Sequence, residues 1–278
     1  MSASADLASG KGHRDENFPV ASHLVAARHR APIMAYYRFA RAADDIADHP
    51  LAAPRDKLVR LRAMAATIRG ETEEDEAAAA LRHVMAEREL DPAHALDLLE
   101  AFSRDVTVLR YPDWASLMDY CRYSAAPVGR FVLDVHGEDR ALWAQSDALC
   151  AALQVINHLQ DCAKDHRELD RVYLPLDMLT AHGGRLDDLG RPAATTGLRA
   201  TIAEAARLSL DLLARSKGFA GAIRSRRLGM EVAVIQRLAE SLAERLTRRD
   251  PLADRVHHSK AEALALAGPA AFARLLGR

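Results

Sequence analysis

The sequence predicts an all-α protein, on three observations: apolar residues recur every three or four positions in most long segments, helix punctuation runs throughout, and strand signals are almost absent. Leu58, Leu61, Met64, Ala65 and Ile68 fall on one face of a helix, as do Ile235, Leu238, Leu242 and Leu246. Asp91-Pro92 reads as an N-cap followed by a first-turn proline, Pro54 opens another helix, and Gly70 and Gly137 stand where helices should stop.

In chain order, the first helix is expected over 31–48, starting on the apolar run Ile33-Met34-Ala35-Tyr36-Tyr37. The next follow over 55–69, from the period just given, over 74–88, where Ala77 to Ala80 favour a helix, and over 92–109, behind the Asp91 cap. One helix is expected over 114–136, bent at Pro127, and another over 140–166, with the apolar run Leu149 to Ile156. Residues 167–192 carry Pro175, Gly183, Gly184, Gly190 and Pro192 and read as a long loop with short helical turns. Helices over 195–217, 229–248 and 259–275 complete the chain. The periods look alike on both sides of that loop, so it reads as a lid or site wall within one domain, 18–278, behind a flexible segment 1–17.

The charge balance excludes one partner class. Lys and Arg number 38 against 39 Asp and Glu, a net charge of −1, too little positive field to hold a nucleic-acid backbone. Cys121, Cys150 and Cys162 are odd in number and lack metal-ligand spacing, which fits a reducing cytoplasm. No apolar run near the N-terminus resembles a secretory signal, and the longest candidate span, Ala263 to Phe272, is too short to cross a bilayer. That last segment is expected to dock on the core, with transient contact at a membrane surface.

Two segments can carry chemistry: Arg41-Ala-Ala-Asp44-Asp45-Ile-Ala-Asp48 and Asn157-His-Leu-Gln160-Asp161-Cys-Ala-Lys-Asp165. Each places two aspartates four apart, on one helix face. The bare spacing is weak, but both pairs end helices that are apolar upstream, so their carboxylates are expected to be partly buried and to need cations. Arg41 and Lys164 supply these as ordinary ion pairs, or a divalent metal does. Magnesium suits the second reading, because it takes hard oxygen ligands and binds through one or two carboxylates plus substrate phosphates. Asn157, one turn ahead of Asp161, could complete such a shell or be a buried, hydrogen-bonded amide.

Taken together, Tyr37 to Asp48, Tyr120-Cys121 ahead of Val128-Gly129, and Asn157 to Asp165 followed by Arg171-Val-Tyr173-Leu-Pro175 resemble the squalene and phytoene synthases, in order and in mutual spacing, over roughly Phe18 to Leu246. Within that family the likeness is to the branch serving bacterial hopanoid biosynthesis, through Glu16-Asn17-Phe18-Pro19-Val20-Ala21-Ser22, Asp44 to Pro50, and Cys121 to Arg130. The resemblance implies a class I isoprenoid synthase bundle around one cavity, with Asp44, Asp48, Asp161 and Asp165 holding Mg2+ at its mouth and Asn157 assisting. It also implies Arg41 and Arg171 as diphosphate-side cations and Tyr37, Tyr120 and Tyr173 as pocket rings, although buried tyrosines are as often core residues with a bonded hydroxyl. Phe18, Ser22, Asp105, Ser124 and Gly129 are the further substrate-side positions.

Departures from the family pattern bear on the reaction. Arg14-Asp15-Glu16-Asn17-Phe18 stands where many members have a His-Ser-x-Ser-Phe type sequence, which removes hydroxyls that seat a diphosphate and argues against joining two allylic diphosphates. Ser124-Ala125-Ala126 replaces a Val-Ala-Gly, placing a hydroxyl where it could help admit water. The chain has no GxGxxG, and no nicotinamide cofactor is expected. The expected reaction takes a prenyl diphosphate, presqualene diphosphate, to a C30 alcohol by water capture. The rivals are condensation of two farnesyl diphosphates to presqualene diphosphate or squalene, and a non-catalytic helical protein that binds prenyl lipids or other enzymes of the pathway.

Overall fold

The structure, a computed structural model, describes residues 25–276. Phe18, Ser22, the motif 16–22 and the segment 1–17 lie outside the described residues. The described residues fold into twelve α-helices: α1 (Ala27–Asp48), α2 (Pro54–Arg69), α3 (Glu76–Glu87), α4 (Ala93–Thr107), α5 (Trp114–Ser124), α6 (Ala126–Val135), α7 (Trp143–Leu169), α8 (Leu176–Ala181), α9 (Thr196–Arg215), α10 (Phe219–Ala222), α11 (Arg226–Leu246) and α12 (Lys260–Leu275). Local chemistry sets the ends. Pro54 occupies the first turn of α2, which Gly70 closes in the left-handed conformation at φ 79°, and the Asp75 side chain accepts the Ala78 N–H to start α3.

Three expectations are corrected. The helix over 114–136 is two helices, because the Pro127 ring has no N–H to bond backward; α5 stops at Ser124 and α6 restarts with the proline in its first turn. Strands do exist: β1 (Arg110–Tyr111) and β2 (Val172–Pro175) form a parallel pair, too short to show a period of two. Segment 167–192 is therefore mostly structured, holding the end of α7, β2, α8 and a 3-10 turn over Leu186–Gly190.

Among the described residues two buried apolar clusters form the interior. One joins α1 to α4 with Phe131 and Val135 of α6; the other gathers α5, α7, α9, α11 and both strands. Gly129 lets α6 approach α7 closely, since a β-carbon there would collide with Ser146 Oγ and Cys150 Sγ. The α11 N-terminus is held by Glu138, whose carboxylate accepts the backbone N–H groups of Arg224 and Ser225, each at 2.8 Å. Helix α12 packs on α11, and Arg274 ties its end to the Ala220 and Ile223 carbonyls at 2.7 and 2.8 Å. Leu264, Phe272 and Leu276 of this terminal segment are exposed, and among the described residues no helix is long and apolar enough to cross a membrane.

Candidate active site

A cavity of about 310 Å³ lies between the two clusters, walled by Ile33, Tyr36 and Phe131 from one and by Leu133, Leu149, Leu228 and Val232 from the other. Tyr37, Gly129 and Asn157 also line it. Successive turns of one face of α1 run from Tyr37 through Arg41 and Asp44 to Asp48, and of α7 from Asn157 through Asp161 to Asp165. Helical geometry thus sets both aspartate motifs at one end of the cavity. A second hollow of about 450 Å³, walled by Trp114, Met118, Asp211 and Arg215, contains none of the predicted site residues.

The first motif is engaged by protein cations. Arg41 donates to Asp44 at 2.7 Å and to Asp45 at 3.0 Å, and Arg171 donates to Asp48 at 2.6 Å. Burial, followed by the charge of Asp48, raises the Asp44 carboxyl to about 7 despite Arg41. Asp161 is raised too, by burial first and by Asp165 second, against the pull of Lys164. At Asp44 burial and Asp48 together outweigh the pull of Arg41, and at Asp161 burial and Asp165 outweigh that of Lys164.

Asp105 of α4 is the hub between the motifs. It is buried, its carboxylate accepts Tyr120 Oη at 3.0 Å and Tyr173 Oη at 2.7 Å, and its carbonyl accepts Arg171 Nε at 2.8 Å. The Tyr173 ring stacks on His158 with centroids 3.5 Å apart and planes 13° from parallel, and His158 Nδ1 stands 3.7 Å from Asp165. A continuous set of contacts therefore links Asp48 on α1 to Asp165 on α7. Tyr120 and Tyr173 are core residues within this network and do not line the cavity. Ser124 ends α5 with its Oγ buried and without a hydrogen-bond partner, and it does not line the cavity either.

Sequence reasoning passed over His158, although it lies inside the second motif, because its role depends on β2 bringing Tyr173 to its ring. It also passed over Glu231, a carboxylate 5% exposed in the cavity wall; the available signal was an acid in the apolar stripe Leu228, Val232, Ile235. Cys121, Cys150 and Cys162 are free, and burial pushes each thiol up to about 12, so none is a ready nucleophile.

Comparison with known proteins gives one consistent answer. Residues 12–262 match the squalene/phytoene synthase family model. A protein from Zymomonas mobilis named hydroxysqualene synthase is 57% identical over 98% of this chain and 92% of its own length. One of the same name from Rhodopseudomonas palustris is 51% identical over 92% of this chain and 88% of its own. Among solved structures, squalene synthase HpnC from Alicyclobacillus acidocaldarius superposes with a TM-score of 0.75 at 31% identity, covering 88% of this chain and 92% of that one. A ligand-bound dehydrosqualene synthase shares the fold at a TM-score of 0.78 and 21% identity, over 95% and 93% of the two chains.

Proposed function

As the chain belongs to the squalene/phytoene synthase family, we propose that it is a hydroxysqualene synthase, converting presqualene diphosphate and water into hydroxysqualene and diphosphate. The observation that carries this reading is identity of 57% and 51% to two proteins of that name over more than nine tenths of the chain. The site's chemistry supports it: an apolar cavity for a prenyl chain opens toward carboxylates and guanidiniums suited to a diphosphate and its counter-ion.

The donor set fits Mg2+. Asp44, Asp48, Asp161 and Asp165 offer hard oxygens, with the Asn157 amide one turn deeper, and Asp44 and Asp161 are carboxyls raised first by burial and then by a neighbouring aspartate, whose charged forms a divalent cation would favour. Among the described residues no three His, Cys, Asp or Glu side chains form a ready-made ion site, so these carboxylates would hold Mg2+ together with substrate oxygens and water. When bound, Mg2+ supplies Lewis-acid stabilisation of the departing diphosphate.

The chain's own residues do the rest. Arg41 and Arg171, held by Asp45 and by the Ala47 carbonyl, face the leaving group with fixed guanidiniums. The walls formed by Tyr36, Phe131, Leu149 and Val232 shield the rearranging cyclopropylcarbinyl cation from bulk water until one water adds. The final bond is made by water and no nicotinamide takes part. The enzyme works in the cytoplasm, with transient contact at the inner membrane surface through the exposed apolar residues of α12.

Incubation with presqualene diphosphate and Mg2+ in oxygen-18 water tests this reading. The expected product is a C30 alcohol carrying the heavy oxygen, with or without reduced nicotinamide. Squalene as the main product with reduced nicotinamide, or turnover of farnesyl diphosphate alone, would return the chain to the reductive or condensing members of its family.

A further inference from the structure

The far end of the cavity is built differently from its walls. The residues of α7 that line it run from Ser146 to Asn157, a depth of about 16 Å at the helical rise of 1.5 Å per residue. Asp161 and Asp165 follow Asn157 at one end. At the other, the carboxylate of Glu138, in the turn ahead of α7, accepts the backbone N–H groups of Arg224 and Ser225, so the link from α10 to α11 is tied to the end opposite the aspartates. Phe219 of α10 and Leu228 of α11 flank that link and line the cavity, and Phe219 is 3% exposed. Phe219 therefore stands at the floor.

A floor carried by α10 needs outside support. The helix is a single turn, Phe219–Ala222, and one turn does not hold itself in water. Its last carbonyls also have no partner within the helix. Arg274 of α12 supplies what is missing: its Nε donates to the Ala220 carbonyl at 2.7 Å and its Nη2 to the Ile223 carbonyl at 2.8 Å. Gly229 makes room for this contact, because a β-carbon there would stand 2.8 Å from both the Ala220 oxygen and Arg274 Nε. The terminal helix thus reaches the cavity through one guanidinium.

We infer that Arg274 is a positioning residue for substrate selection: by fixing α10 it sets Phe219 as the stop against which a prenyl arm ends, and so the length of arm that the cavity admits. This rests on the reading of the substrate as a prenyl diphosphate. An arm that fits is buried against the floor with its diphosphate at the aspartates. An arm one isoprene unit longer must displace Phe219 or leave its diphosphate short of them.

The test sets presqualene diphosphate against its C40 homologue, in which each arm is one isoprene unit longer, and reads the ratio of the two kcat/KM values with Mg2+. Phe219→Ala should raise the C40 to C30 ratio roughly tenfold to a hundredfold, as one unmatched methylene already does in an apolar pocket. Arg274→Met should shift the ratio the same way at a temperature where the variant is folded, although the side chain does not line the cavity. Arg274→Lys, which can still donate to one carbonyl, should restore part of the wild-type selection. If Phe219→Ala does not fold, Phe219→Leu reads the same ratio. Non-hydrolysable thio analogues of farnesyl and geranylgeranyl diphosphate repeat the comparison by binding alone. An unchanged ratio in the Phe219 variants, or C30 and C40 rates that fall together in Arg274→Met, overturns the inference. Wild-type protein that binds the shorter analogue selectively, with both variants relaxing that preference, yet does not turn over presqualene diphosphate supports the inference and overturns the activity proposed above.

Discussion

Arg171 bonds Asp48 at 2.6 Å across 123 residues of sequence, while its Nη2 takes the Ala47 carbonyl at 3.0 Å and its Nε the Asp105 carbonyl at 2.8 Å. One guanidinium thereby fixes the C-terminal turn of α1 against α4 and β2. Arg171 is 6% exposed, and the neighbouring acids Asp105 and Asp48 hold it in its charged form.

Arg171→Met should lower stability by about 2–4 kcal/mol, because it leaves a carboxylate and two carbonyls without their donor in a largely dry site. Urea denaturation would show this as a lower midpoint at unchanged slope. Arg171→Lys keeps the charge but cannot reach three acceptors at once, and it should recover less than half of the loss.

Asp44→Asn should lower diphosphate release by roughly a hundredfold to a thousandfold while leaving the metal-free melting temperature unchanged or raised. The pH dependence gives the sign. Folding raises the Asp44 carboxyl from 3.8 to about 7, so between those values the folded state binds a proton that the unfolded chain has released. Metal-free wild-type protein therefore loses stability as pH rises from about 4 to about 7, with no further loss from this group above that. Melting curves across that range should be flatter for Asp44→Asn; parallel curves would remove Asp44 as the source.

Tyr120→Phe and Tyr173→Phe each remove one hydroxyl from the buried Asp105 carboxylate and should each cost about 1–3 kcal/mol. The double variant should lose measurably more or less than the sum, because both hydroxyls serve the same carboxylate. Additive losses in denaturation would show that the two bonds act independently.

Chelation with EDTA should abolish diphosphate release, and added Mg2+ should restore it. Added Mg2+ should also raise the melting temperature of the wild-type protein but not of an Asp44→Asn, Asp161→Asn double variant, since only a ligand bound to the folded state stabilises it.

Sedimentation with liposomes should carry down only a fraction of the protein, and less of a Phe272→Ser, Leu276→Ser variant, whose changes fall at side chains 60% and 57% exposed. Complete, salt-resistant sedimentation would instead indicate a firm anchor.

The sequence by itself determined the helical class, most helix positions and both aspartate motifs, because a period of 3.6 and the spacing of Asp44 with Asp48 or Asp161 with Asp165 are local properties that one helix displays alone. It also marked Arg171 and Tyr173, through their likeness to family motifs rather than through any pattern of their own. Only the tertiary structure decided what these groups touch. Asp105 draws its partners from α5, from β2 and from Arg171 just ahead of β2, at separations of 15, 68 and 66 residues, and the β1–β2 pair is too short to leave a periodic trace. Glu231 shows the same limit: in the chain it is one acid on an amphipathic helix, and it becomes a cavity carboxylate only when α11 closes against α1, α6 and α7. Burial is a property of what packs around a residue, and here those neighbours come from helices far away in sequence.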